Sequence, residues 1–209
     1  MKIMRKPWNA GRILGQKKPF TVEQIKHLSR LLSQNSEHRN LCLFCIGIDS
    51  CLRGSDLVRL KVGDVVDKYG HVKSELRIAQ QKTGGIVVAA LSPQTCNAIS
   101  ALVEKGQLTV DDWLFRGNPH HRNQPISTNH LRRLVKRWAV MLGVDATNYS
   151  SHSLRRSKPS YLYSQGVRPE MLRFLLGHQS LKSTQEYLGI DRNQALDFAR
   201  QFDCFGEIQ

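Results

Sequence analysis

Between residues 62 and 91 the apolar spacing of this chain changes from that of a helix to that of a strand. Glu75-Leu-Arg-Ile-Ala79 alternates polar and apolar residues, Ile86-Val-Val-Ala-Ala-Leu91 is a β-branched run, and Thr83-Gly84-Gly85 lies between them. Two such runs around a glycine turn predict a β-hairpin, with a third strand expected near Val65 to Val72. Everything on either side keeps a helical period. The fold class expected is therefore α+β, mainly α, with one small antiparallel sheet.

The helices are read from periodicity and from their ends. Thr21-Val-Glu-Gln24 is a capping box, and Val22, Ile25, Leu28 and Leu32 fall on one face of the helix it starts. Ser36 is expected to cap a second, strongly apolar helix running to about Asp49, and Ser55 a short one to Leu60. Ser92-Pro93 opens another, which Gly106 ends. Thr128 is expected to cap a helix with Leu131, Leu134, Val135 and Trp138 inward and Arg132, Arg133, Lys136 and Arg137 outward, stopped by Gly143. Four more follow, from about Arg155 to Gln165, Pro169 to Leu176, Leu181 to Leu188 and Asp191 to Phe202. Residues 1–20 are basic, rich in Gly and Pro, and read as an arm; residues 21–209 read as one domain.

Charge narrows the function. Thirty-one Lys and Arg against 17 Asp and Glu give a net charge of +14 over 209 residues. Such a field draws polyanions, of which nucleic acid is the commonest, so double-stranded DNA is the expected partner. The longest apolar run, Leu41 to Ile48, is too short to span a bilayer, and no lipidation motif or signal peptide is evident. A cytoplasmic, nucleoid-associated protein of bacterial type is expected, with no membrane partner. Of the five cysteines, Cys42 and Cys45 have zinc or redox spacing, but no second Cys/His pair follows. They read as small buried apolar residues.

Several side chains carry chemistry only when taken together. His152 and Arg155, three apart at a helix start, share one face where free amides suit a phosphate. Pro159 favours a start at about Arg155, because it is tolerated only in opening turns. Gly177 can end a helix in a left-handed conformation and fix His178 at the turn. Tyr187 has a phenol that attacks phosphorus only with a base and cationic neighbours beside it. Arg53 can grip two phosphate oxygens, with Asp56 one turn on to orient it. Lys82, at the tip of the hairpin, can bring an ammonium to a leaving oxygen.

Arg53-x-x-Asp56, Lys82, His152-x-Leu-Arg155-Arg, Leu175-Leu-Gly-His178 and Tyr187, in this order, resemble the tyrosine recombinase (phage integrase) family from about residue 20 to the end. The resemblance implies that Tyr187 attacks a scissile phosphate, leaving a 3′-phosphotyrosyl link and a 5′-hydroxyl without cofactor or metal. It casts Arg53 and Arg155 as holders of the non-bridging oxygens and Lys82 as acid for the leaving oxygen. His152 would exchange a proton with Tyr187, and His178 would hydrogen-bond the phosphate. It also implies a homo-oligomer, a tetramer on two DNA sites, in which the last helix (191–203, with Ala195, Leu196, Ala199 and Phe202 on one face) docks on a neighbour or on its own domain.

With about twenty residues ahead of the catalytic region, the chain is similar to short recombinases of fimbrial switches or mobile elements. The DNA grip would then fall to basic residues such as Lys17, Lys18, Arg132, Arg133, Lys136 and Arg137, or to an accessory DNA-binding protein. A non-catalytic DNA-binding regulator and a relaxing enzyme of the type IB topoisomerase kind are the competing functions.

Overall fold

The structure is a computed structural model that describes residues 16–117 and 123–190. In it α1 (Val22–Gln34) and α2 (His38–Ser50) lead through two one-turn helices, α3 (Gly54–Leu57) and α4 (Val62–Val65), to the hairpin β1 (Glu75–Ala79) and β2 (Ile86–Ala90). Then follow α5 (Pro93–Gly106), α6 (Thr128–Met141), α7 (Ser151–Ser164), α8 (Pro169–Leu176) and α9 (Leu181–Leu188). The architecture is mostly helical with a small antiparallel sheet, as expected from the periodicity. Among the described residues no helix is long and apolar enough to cross a membrane.

The core gathers around α2, which buries Leu43, Phe44 and Ile46 completely. Phe44 meets Trp138 of α6 edge-on at 5.4 Å and Phe20 at 5.9 Å, and Phe20 stacks on Tyr149 at 4.8 Å. Rings of this size, fully buried, contribute roughly 1.5–3 kcal/mol each. Asp49, near the end of α2, accepts from the Ser92 amide at 2.8 Å, the Thr95 hydroxyl at 2.6 Å and the Lys158 ammonium at 2.9 Å. Burial alone would raise its pKa; the hydrogen bonds from Thr95, Ser92 and Lys158 outweigh this and lower it. One carboxylate thus ties α2 to the starts of α5 and the middle of α7.

The expected hairpin forms, with Glu75 opposite Ala90 and Ala79 opposite Ile86. The third strand does not form: Val62–Val65 is a helical turn, and only a single bridge, Val66 to Val72, remains of the pairing. The Thr21–Gln24 capping box is present. Other caps lie one or two residues from where propensity put them. Ser36 stands outside α2 with φ 54°, and Glu37 precedes the helix without a side-chain cap. Arg53, not Ser55, precedes α3, while Ser127, not Thr128, caps α6 by accepting from the His130 amide at 3.1 Å.

The largest difference is α7. Ser150 caps it and it begins at Ser151, so Pro159 lies well inside the helix. The missing proline amide forfeits one ladder bond to Arg155. Pro159 itself is buried, and Ser157 Oγ donates to the Ser153 carbonyl one turn back at 2.7 Å. Phe20, the last residue of the expected arm, is in the core, and its amide donates to Ser157 Oγ at 2.9 Å. Cys42, Cys45 and Cys51 are buried and unpaired by disulfides. The expected helix over 191–203 lies outside the described residues.

Candidate active site

Arg155 is the centre of the site. It sits in the second turn of α7, 3 % exposed, and its guanidinium bridges two segments. Nη1 donates to the Cys51 carbonyl at 2.5 Å, and Nη2 donates to the Leu176 carbonyl at 2.7 Å. Cys51 presents that carbonyl inward because it ends α2 in the left-handed region, φ 51°. Burial disfavours the Arg155 charge, and the neighbouring Arg53 adds repulsion, so its pKa is lowered.

Arg53 reaches the same place from the other side. Its Nη1 donates to Gln80 Oε1, which also accepts from the Thr83 hydroxyl at 2.8 Å. Gln80 in turn donates through Nε2 to the Leu176 carbonyl at 3.3 Å. The two arginines are therefore joined through one buried amide and one helix-terminal carbonyl. Asp56 does not orient Arg53; its Oδ1 accepts from the Gln81 amide at 3.1 Å, fixing the root of the hairpin loop instead. Gly54 lets this turn nest against its neighbours: a Cβ there would stand 3.2 Å from Ser151 and 3.3 Å from Leu131.

Gly177 ends α8 with φ 58°, as its position predicted, and delivers His178 to the site. An arginine has no acceptor, so Arg155 Nη2, 3.2 Å from His178 Nε2, must be the donor there. The Nδ1 proton then points to Thr184 Oγ1 at 3.1 Å. Partial burial, then Arg155 and Arg53, push the His178 pKa down to about 4. In the unfolded chain an imidazole titrates near 6.5. The unfolded state therefore binds more protons between these values, and stability is expected to fall as pH drops from about 6.5 toward 4. Chemical denaturation at pH 7 and pH 4.5 checks this. The loss should be smaller in His178→Gln, and an equal loss would assign the acid sensitivity elsewhere.

At Gly177 a Cβ would stand 2.5 Å from Val87 Cγ2 and 2.9 Å from Gln80 Nε2. Gly177→Ala should thus destabilise the fold by about 2 kcal/mol or more, from left-handed strain plus overpacking. The check is the urea midpoint, with an unchanged midpoint counting against a tight turn here.

Tyr187 closes the site from α9. Its ring meets His178 edge-on at 5.5 Å and lies under the Arg156 and Arg155 guanidiniums at 4.9 and 5.9 Å. Its hydroxyl is buried without a hydrogen-bond partner among the described residues. Burial raises the phenol pKa, opposed by the charges of Arg155 and Arg156.

The remaining site residues lie at the edge. Lys82 is exposed in the loop joining β1 to β2. His152 is exposed in the first turn of α7, with its pKa lowered by partial desolvation and by Arg155, Arg156 and Arg53. No hydrogen bond joins it to Tyr187 among the described residues; the histidine against that ring is His178. The structure thus brings Arg53, Arg155, His178 and Tyr187 together. Gln80, Thr184 and Arg156 complete the cluster without having stood out in the sequence. The first two act through contacts far along the chain or across a turn, and Arg156 was visible only as a second arginine in the motif.

Of the basic residues, Arg132, Arg133, Lys136 and Arg137 lie exposed along α6. Arg137 pairs with Glu37 at 2.8 Å, and Arg132 donates to Asn129 at 3.0 Å. Lys17 donates to the Thr147 carbonyl at 2.7 Å, while the Lys18 backbone amide bonds the Asn148 carbonyl at 2.9 Å. Among the described residues no cluster of His, Cys, Asp or Glu has metal-binding geometry.

The fold is that of tyrosine recombinase catalytic-domain structures. The phage integrase family profile matches residues 18–194, and the chain belongs to that family. It is similar to the probable integrase/recombinase YoeC of Bacillus subtilis (strain 168), 25% identical over 173 residues, 83% of this chain and 89% of that protein. It is also 25% identical over 186 residues to tyrosine recombinase XerD of Staphylococcus haemolyticus (strain JCSC1435), covering 87% of this chain and 61% of the relative. The fold is shared with XerA recombinase, TM-score 0.69 at 19% identity over 94% of this chain and 66% of that one. XerH bound to difH gives 0.68 at 17% identity, over 89% of this chain and 55% of XerH. Apart from YoeC, the chain spans less than two thirds of the length of these relatives.

Proposed function

We propose that this protein is a site-specific DNA recombinase that breaks and rejoins strands through a 3′-phosphotyrosyl intermediate, with residues 21–209 as its catalytic domain. What supports this most is the setting of Tyr187, whose buried hydroxyl has no hydrogen-bond partner among the described residues and whose ring packs against one histidine and two guanidiniums. Among these neighbours Arg155 and His178 are of the kind an entering phosphate needs.

In this reading Tyr187 Oη attacks phosphorus and the bond to the 5′ oxygen breaks. The phenol proton passes to His152, and Lys82, exposed on the hairpin loop, protonates the departing 5′ oxygen. Arg53 and Arg155 hold the non-bridging oxygens and stabilise the charge of the pentacovalent transition state. His178 Nε2 accepts from Arg155 in the free protein. To hydrogen-bond a phosphate it must carry a proton on Nε2, either by a tautomer switch in which the Thr184 hydroxyl donates to Nδ1 or by gaining a proton, which the phosphate's charge favours. The 5′-hydroxyl of a second strand reverses the steps. The enzyme acts in the cytoplasm on nucleoid DNA as a homo-oligomer, a tetramer on two duplex sites, with basic residues of α6 and Lys18 on phosphates and an accessory protein where the grip needs one.

The test is a nicked suicide duplex carrying the candidate site. A covalent adduct that survives denaturation and forms equally in EDTA is expected. Binding without any adduct would favour a non-catalytic regulator; loss in EDTA would point to a metal nuclease; supercoil relaxation without recombinant products would point to a topoisomerase.

A further inference from the structure

Arg156 has no place in the chemistry above, yet it is the arginine closest to the Tyr187 ring, 4.9 Å from the centroid against 5.9 Å for Arg155. It is buried, and its Nη1 donates to Gln16 Oε1 at 2.5 Å. Gln16 passes the contact on: its Nε2 donates to the Glu186 carbonyl at 2.7 Å. Glu186 directly precedes Tyr187, in the last turn of α9, where carbonyls lack the regular intrahelical donor.

Every other hydrogen bond to α9 among the described residues comes from within 178–190, namely from the Ser180 cap, His178 and the closing turn. Gln16 is itself well placed to hold something. On its far side Lys17 bonds the Thr147 carbonyl at 2.7 Å, the Lys18 amide bonds the Asn148 carbonyl at 2.9 Å, and Phe20 is stacked on Tyr149 in the core.

We infer that Gln16 and Arg156 are positioning residues, a latch by which the strand of chain before α1 sets the place of the tyrosine helix. The inference rests on Tyr187 being the nucleophile. An eight-residue helix has little stability of its own, so its position is set by what it packs on. Arg156 holds its guanidinium over the ring at 4.9 Å, and Gln16 binds both Arg156 and the backbone beside the tyrosine. The pair thereby locks side chain and helix to one body. Orientation errors of about 1 Å cost on the order of a hundredfold in rate while leaving affinity largely alone. The latch should therefore act on the chemical step and not on DNA binding.

Gln16→Ala in the full chain tests this, since Gln16 is exposed and its loss leaves the core intact. The expected result is a single-turnover adduct rate on the nicked duplex lowered about tenfold or more, with DNA affinity unchanged. Without DNA, amide exchange across 181–190 should be faster than in the wild type. Wild-type rate together with wild-type exchange would overturn the latch. So would a rate and an affinity that fall in parallel, which would place Gln16 in the DNA grip. Should the nucleophile be misassigned, the sign would be different: adduct persisting in Tyr187→Phe, while the exchange measurement still reports on the latch.

Discussion

Tyr187→Phe is expected to fold at least as well as the wild type and to form no covalent adduct on the nicked duplex. Both halves follow from one observation. The Tyr187 hydroxyl is buried and has no hydrogen-bond partner among the described residues. An unsatisfied buried hydroxyl costs about 1–3 kcal/mol, so removing it should leave stability unchanged or raise it by about 1 kcal/mol. The ring keeps its edge contact with His178 and its place under Arg156. A loss of adduct in a protein with an undiminished denaturation midpoint isolates the phenol as the group that bonds phosphorus. An adduct retained in Tyr187→Phe would end the assignment.

Arg155→Ala is expected to lower the cleavage rate by about 10²–10³-fold, the usual effect of removing one donor from a developing oxyanion. Here, unlike at Tyr187, stability should fall too. The Cys51 carbonyl loses its donor in a buried setting, at about 1–3 kcal/mol, while the Leu176 carbonyl keeps only the longer bond from Gln80. Arg155→Lys separates the effects of charge and shape: it keeps the charge, but an ammonium cannot span two carbonyls as a planar fork does. It should recover little of the rate. Single-turnover cleavage with urea denaturation measures both quantities, and wild-type cleavage by Arg155→Ala would remove this arginine from the phosphate site.

The parts of the molecule that could be read from the sequence are those decided by neighbours in the chain. The Thr21 capping box, the outward basic face of α6, the hairpin and the Gly177 turn depend on residues within a few positions of one another. The start of α7 was misplaced because proline propensity argues for an early position, whereas burial of Pro159 and the cap at Ser150 favour a longer helix. The third strand failed for a similar reason: Val62 and Val65 bury fully in a helical turn and leave only one bridge to Val72. In the site, the candidate side chains were visible as types in order. Their supports were not. Gln80 joins Arg53 to a carbonyl 96 positions away, and Gln16 reaches Arg156 across 140, distances at which no local pattern speaks.

Arg53, Arg155 and Arg156 have a common peculiarity. Their donors rest on amide and main-chain oxygens of Gln80, Cys51, Leu176 and Gln16, and no carboxylate among the described residues lies within ion-pair distance of any of them. A phosphate entering this site has no resident counter-ion to evict. Folding and occupancy are then linked: an anion bound only by the native state adds stability that grows with the logarithm of its concentration, about 2.7 kcal/mol at a hundred times Kd. Among the described residues the chain leaves this concentration of positive charge uncompensated, and on the proposed function the substrate phosphate is its neutralising half.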